Sequence, residues 1–215
     1  MFYNLHTHQY QQSEDTIALV NQYPLLFDET IPVYSIGIHP WHIKEENISQ
    51  ELAIIEQKLS EKGCLAVGEC GLDNRIEVPI DLQKEVLIKH FQLAEQYQKP
   101  VLIHCVGMFQ ELIQIKKQLK VSVPVIIHGF SKKQELAQQL LQNGFYLSFG
   151  KYLLRNPELG KVLQIVPLHR MFLETDTMEE TIHQVYQVAA EKLSINEIEL
   201  QNILQNNFKT VFNYG

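Results

Sequence analysis

The sequence has little cysteine, no long apolar run and no excess of basic residues, and each shortage argues against a class of protein. Its three cysteines, Cys64, Cys70 and Cys105, are an odd number without Cys-x-x-Cys spacing. They predict reduced, buried thiols rather than a disulfide framework. No apolar run approaches the roughly 18 residues of a membrane span. The first six residues lack the basic and apolar regions of a signal peptide. We therefore expect a cytoplasmic protein that does not bind membranes.

The charge balance is acidic, with 18 Lys and Arg against 25 Asp and Glu, a formal net charge of −7. Proteins that coat nucleic acid or an anionic membrane need an extended basic face, which this composition does not supply. The acidic composition is compatible with a small site in which bound metal ions provide the positive charge. No sequence feature indicates an obligate protein partner.

Short apolar runs alternate with helical stretches along the chain, which predicts a parallel sheet covered by helices. Eight strands suggest an α/β fold of the (β/α)8 TIM-barrel type, formed as one domain over residues 1–215, with a doubly wound open sheet as the rival architecture. The predicted strands span residues 2–6, 16–20, 33–37, 64–69, 101–104, 124–128, 145–149 and 171–174.

The front of the chain is too short for a regular barrel. Only 30 residues separate His8 from His39, whereas two strand–helix units need roughly 30 residues each. We therefore expect trimmed crossovers after the first two strands.

Potential metal ligands lie at the predicted ends of five strands. His6 and His8 are two residues apart, so both imidazoles point to the same side of a strand. The carboxyl ends of parallel barrel strands share one face, where active sites of this fold lie. Two divalent cations can be held there, and such a cation lowers the pKa of bound water to about 7. The candidate ligands are His6, His8, Glu69, His104, His128 and Asp176.

The other five histidines give weaker signals. His39 and His42 flank the end of the third predicted strand. For His39 a substrate contact and a structural role are both open, whereas His42 is interpreted as structural. His90, His169 and His183 are interpreted as surface or packing residues.

The order of the motifs resembles the TatD-like metal-dependent hydrolases (TatD-type DNases), a branch of the amidohydrolase superfamily. The motifs are His-x-His at 6–8, Gly-Ile-His-Pro at 37–40, Gly-Glu-x-Gly-Leu-Asp at 68–73, Pro-Val-x-Ile-His at 100–104, His-Gly-Phe-Ser at 128–131 and Glu-Thr-Asp at 174–176.

The resemblance implies specific roles for these residues. His6, His8 and Asp176 would hold one metal, His104 and His128 the other, and Glu69 would bridge both. Glu69 and Asp176 would be catalytic, Asp176 by taking the proton from the attacking water, and the family is known for cleaving DNA phosphodiesters.

Three positions depart from the family pattern. Asn4 replaces an Asp two residues before the first histidine, and Val106 replaces an Arg after the fifth-strand histidine. Thr177-Met178-Glu179-Glu180 follows Glu-Thr-Asp, where a small residue and Pro are usual. Losing an Arg and gaining two acids weakens binding of a phosphate chain.

The leading hypothesis is a metal-dependent hydrolase that uses a divalent-metal-activated water to cleave ester bonds, foremost the phosphodiesters of DNA. The alternative is hydrolysis of a small amide, lactone or phosphoester, and the third is a non-catalytic binding protein on a degenerate barrel. His39 is the candidate substrate contact. The mixed ligand set leaves the two cations open among Zn, Mg, Mn, Ni and Fe. Four basic residues could meet a phosphate or be ordinary solvated charge: Lys132, Lys133, Lys151 and Arg155.

Overall fold

The computed structural model describes all residues from 1 to 215. The strands are β1 Phe2–Thr7, β2 Thr16–Gln22, β3 Tyr34–Ile36, β4 Cys64–Asp73, β5 Val101–Val106, β6 Val125–Ile127, β7 Phe145–Phe149 and β8 Met171–Leu173. The α-helices are α1 Ile48–Lys58, α2 Ile80–Tyr97, α3 Phe109–Gln118, α4 Gln134–Gln142, α5 Lys151–Arg155, α6 Glu158–Ile165, α7 Ile182–Leu193 and α8 Glu197–Phe212. No helix has both the length and the apolar character needed to span a membrane.

The eight strands belong to one sheet in the order β1 to β8. This order is that of a (β/α)8 barrel and differs from the reversed order of a doubly wound sheet, so the predicted fold class is confirmed. The last strand returns to the first, because Thr7 and Asp176 form a parallel backbone bridge.

The trimmed crossovers at the front are also confirmed. No helix lies between β1 and β2, and only a 3₁₀ turn, Pro24–Leu26, lies between β2 and β3. Regular strand–helix alternation begins with α1, which lies between β3 and β4.

The chain divides into two compact units, Met1–Val20 with Ile126–Gly215, and Asn21–Val125. We call them the terminal unit and the central unit. In the terminal unit, α7 and α8 cover the first and last strands. The Tyr186 hydroxyl donates to the Tyr3 carbonyl at 3.2 Å, and the Tyr3 and Phe208 rings pack 4.9 Å apart. These contacts fix β1, which carries His6.

In the central unit, β4 pairs in parallel with β3 and β5, and all ten of its residues are buried. Helix α2 packs against it through buried residues spaced three or four apart, among them Leu87, Phe91 and Ala94. A strand buried on both faces is typical of a parallel sheet.

Two predicted strand ends are corrected by the structure. Glu69 lies within β4 and His104 within β5, because the pairing continues through Gly71 with His104 to Asp73 with Val106. The buried apolar side chains of Leu72 and Cys105 favour this extension.

Candidate metal centre

Three predicted ligands meet at the β1–β8 junction of the terminal unit. His6 lies on β1 and is fully buried, and His8 follows the strand. Nε2 of His8 lies 3.4 Å from Asp176 Oδ1, and Nε2 of His6 lies 3.7 Å from the same oxygen. Asp176 is fixed to β1 by its backbone N–H, which donates to the His6 carbonyl at 2.9 Å. One ligand atom from each residue lies within 4.8 Å of the others.

Asn4 holds the segment that carries Asp176. Its side-chain N–H donates to Thr175 Oγ1 at 2.7 Å, and its Oδ1 accepts from the Thr175 backbone N–H at 3.0 Å. The amide both donates and accepts here, whereas an ionised carboxylate only accepts. The departure from the family's Asp therefore has a defined structural role.

His128 follows β6 in the same unit and is oriented by Glu174. Its Nδ1 lies 3.2 Å from Glu174 Oε1, which also accepts from the Gly129 backbone N–H at 2.7 Å. A carboxylate only accepts, so this nitrogen carries the proton, which leaves Nε2 as the candidate ligand atom. The His6 and His128 rings lie 4.5 Å apart. The sequence interpretation gave Glu174 no role, although it stands two residues before Asp176.

In the central unit, Glu69 lies between two imidazoles. Its Oε1 is 3.2 Å from His104 Nδ1 and 3.2 Å from His39 Nε2. The Glu69 backbone is held by Asn21, whose Oδ1 accepts from the Glu69 N–H at 2.7 Å. One ligand atom each from His39, Glu69 and His104 forms a second compact group.

The proton positions distinguish the roles of these two imidazoles. His39 Nδ1 accepts from the Trp41 backbone N–H at 3.1 Å, so in the neutral ring Nε2 carries the proton and donates to Glu69. His104 lies between two carboxylates, since its Nε2 faces Asp73 Oδ2 at 3.0 Å and its Nδ1 faces Glu69 Oε1 at 3.2 Å. With a cation between Nδ1 and Glu69, Nε2 would keep the proton and donate to Asp73, and Nδ1 would be the ligand atom. This geometry makes His39 a donor to Glu69.

Asp73 both caps a turn and orients His104. Its Oδ1 accepts from the Arg75 backbone N–H at 2.9 Å, and its Oδ2 also accepts from Trp41 Nε1 at 2.8 Å. Burial acts to raise the pKa of Asp73, but the hydrogen bonds from Trp41, His104 and Arg75 hold it below its usual value. Gln83 of α2 fixes the Asp73 backbone from both sides, at 2.8 and 3.0 Å.

The remaining histidines lie outside these groups. His90 is fully buried on α2 and has a packing role: its Nε2 accepts from the Ile38 backbone N–H at 2.9 Å. Burial lowers the pKa of His90 to about 4. His183 is exposed and pairs with Asp15 at 2.9 Å. His42 packs against Tyr23, and His169 lies in a 3₁₀ turn.

The spacings suit divalent cations. Two ligand atoms about 2.1 Å from one cation at the tetrahedral angle lie about 3.4 Å apart. The His8–Asp176 and Glu69–His104 distances, 3.4 and 3.2 Å, agree with this value. The donor set of imidazoles and carboxylates is one that binds such cations.

Comparison with known proteins identifies the family to which the chain belongs. A sequence model described as TatD related DNase matches residues 2–213. The chain belongs to this family. Over 149 residues it is 33% identical to YcfH of Escherichia coli K12, described as an uncharacterized metal-dependent hydrolase, and the match covers 67% of this chain and 55% of YcfH. The chain thus spans little more than half the length of that TatD relative.

Two other similar proteins are covered more completely by the match. A Buchnera aphidicola protein, BU355, described as an uncharacterized metal-dependent hydrolase, is 28% identical over 84% of this chain and 76% of its own length. The crystal structure of YJJV, a TatD homologue from Escherichia coli K12, superposes with a TM-score of 0.80 and 23% identity, over 92% of this chain and 86% of YJJV. The structural match supports the barrel fold.

Proposed function

We propose that this protein is a metal-dependent hydrolase that cleaves ester bonds, foremost the phosphodiesters of DNA. The observation that carries the proposal is the group of His6, His8 and Asp176, whose ligand atoms lie within 4.8 Å of one another. Membership of a family described as DNases supports it.

The proposed ligands for two divalent cations are the six residues predicted from the sequence. When bound, the cations supply a Lewis acid and lower the pKa of water. Nδ1 of His104 and Nε2 of His128 would be the ligand atoms, because their other nitrogens face Asp73 and Glu174. The proposed ligands are His6, His8, Glu69, His104, His128 and Asp176.

Asp176 is the proposed general base. Its side chain is 32% exposed, more than that of His8 or the buried His6, so it can receive a proton from a water that enters from solvent. A carboxylate in this role must be within hydrogen-bond reach of the proton it accepts. Glu69, which is 3% exposed, would bind metal and accepts from His39. Both ring nitrogens of His39 are engaged, by Glu69 and by the Trp41 backbone N–H, which supports the structural role of His39 over a substrate contact.

The second candidate is hydrolysis of a small amide, lactone or phosphoester by the same residues. It is favoured by Val106, where the family often has Arg, and by Glu179 and Glu180 beside Asp176. These differences remove the bidentate phosphate contact of an Arg and add negative charge.

The experiment combines elemental analysis with activity. The purified protein is stripped with a chelator, reloaded with Zn, Mg, Mn, Ni or Fe, and assayed on a short 3′-ended DNA and on a panel of small esters and lactones. We expect about two equivalents of metal and metal-dependent DNA cleavage. Cleavage of the panel alone would favour the second candidate. A protein that cannot be loaded would reject both and leave a binding protein.

A further inference from the structure

A cavity of about 480 Å³ adjoins the segment that follows Asp176 in the terminal unit. Lys151 begins α5 just after β7 and Thr177 follows β8, so the cavity lies at the carboxyl end of these strands, the end that carries Asp176. One side comes from α5 and the other from the segment between β8 and α7. The lining residues that matter here are Lys151, Arg155, Thr177, Glu179 and Glu180.

The two basic residues of this cavity differ in their partners. Arg155 is committed, since its Nη2 donates to Glu180 Oε1 at 3.0 Å. The hydrogen bond from its own backbone N–H, and then the one from Arg155, lowers the pKa of Glu180, so this carboxyl is ionised at neutral pH. The ammonium group of Lys151 makes no hydrogen bond or close ion pair, and it acts on Glu180 only through its charge, which helps to lower the pKa of that carboxyl. Its N–H groups can therefore donate to a ligand.

The two acids also differ. Glu180 is half-buried, and its Oε2 has no hydrogen-bond partner. Glu179 is exposed and unpaired. The two basic and two acidic side chains make the cavity neutral overall. Locally, Lys151 attracts one negative charge of a ligand, whereas Glu180 repels a second one.

We propose that this cavity is a subsite for one singly charged anionic group flanking the scissile bond, bound by Lys151, and that the Arg155–Glu180 pair excludes a second negative charge. This rests on the proposed function, because the flanking group is defined by the bond that is cleaved. The ligand chemistry is a compact monoanion, either an internal phosphodiester or a carboxylate. A terminal phosphomonoester, which carries two charges at pH 8, is disfavoured.

The test measures binding without hydrolysis. The full chain is freed of metal with a chelator, because phosphate would otherwise bind the cations, and backbone amide NMR shifts are followed at pH 8. The probes are dimethyl phosphate and acetate as monoanions and inorganic phosphate as the dianion. We expect both monoanions to shift the amides of Lys151 and Thr177, with Lys151→Gln weakening binding about fivefold, as for the loss of one exposed ion pair. A shift with only one monoanion identifies the group that the subsite takes.

Two acid variants provide the matched comparison. Glu180→Gln should strengthen binding of inorganic phosphate about fivefold, because it also releases Arg155. Glu179→Gln removes the same formal charge without breaking an ion pair, so we expect less than a twofold gain. Three results would overturn the proposal. They are equal gains in phosphate affinity in the two acid variants, unaltered monoanion binding in Lys151→Gln, and no amide shift with any probe. If the protein shows this anion selectivity but hydrolyses neither DNA nor esters, the proposed function is rejected and the subsite is retained.

Discussion

At the scale of single residues, two buried carboxylates decide which imidazole nitrogen can bind a cation. Glu174 keeps the proton on Nδ1 of His128, and Asp73 would keep it on Nε2 of His104 when a cation lies at Nδ1. The two histidines thus present opposite nitrogens, each fixed by a hydrogen bond. Their orientation before metal binding lowers the entropy lost on binding.

Removing either carboxylate should weaken metal binding. We expect Glu174→Ala and Asp73→Ala to lower zinc affinity about 10- to 100-fold, as measured by competition with a chelator. Nitrogen NMR of the zinc-loaded wild-type protein should show protonated Nδ1 at His128 and protonated Nε2 at His104.

Asp15→Ala is the control for this comparison, because Asp15 also pairs with a histidine, His183, but on the surface. Its zinc affinity should equal that of the wild type. The same affinity in all three variants would show that Glu174 and Asp73 do not position ligands.

His90 should make stability depend on pH below neutrality. Burial lowers its folded pKa to about 4, below the unfolded value of about 6.5, so the unfolded state binds more protons between these values. The contribution of neutral His90 is fully present above about pH 6.5 and is lost as the pH falls toward 4, about 3 kcal/mol in all. His90→Gln keeps an acceptor for the Ile38 backbone N–H but has no titrating ring. Its free energy of unfolding, measured with urea, should therefore fall less steeply between pH 6.5 and 4 than that of the wild type. The same dependence on pH in both proteins would contradict a lowered pKa of His90.

At the scale of elements, the features that depend on local sequence patterns were predicted, whereas features that depend on long-range contacts were missed. The period of two in His6 and His8 and the rule that parallel strands end on one face were sufficient to select the candidate ligands. The extended β4 was missed because its pairing with β5 depends on a register shift between Val67 and Cys70. Asp73 and Glu174 were not identified as orienting residues because their histidines lie 31 and 46 residues away in sequence.

The close approach of β4 and β5 requires glycine at position 71. Gly71 has a φ of 152°, and a Cβ there would overlap the His104 carbonyl. We expect Gly71→Ala to lower the free energy of unfolding by about 2–4 kcal/mol through this overlap and the unfavourable φ. Gly129→Ala is the comparison, since its φ of 56° is also positive but the nearest atom to a Cβ is 3.6 Å away. It should cost about 1 kcal/mol, and equal costs would contradict the steric explanation.

At the scale of the whole molecule, the net charge of −7 means that the proposed cations would supply the positive charge at the site. Ligands that bind only the folded state stabilise it. With free zinc at 100 times its dissociation constant, we expect about 2.7 kcal/mol of added stability and a melting temperature about 5–10 °C higher than with chelator. The double variant His6→Ala/His8→Ala should lose most of this shift. The same melting temperature with and without zinc in the wild type would contradict the metal centre.

The central claim is that Asp176 accepts a proton during metal-dependent hydrolysis. The most direct measurement is metal content and DNA turnover of Asp176→Asn, assayed together after loading with the metal that best supports the wild type. Asn keeps an oxygen ligand but is a poor base, so we predict retained metal and at least about a 100-fold loss of turnover. Turnover equal to that of the wild type at full metal content would contradict the assigned role.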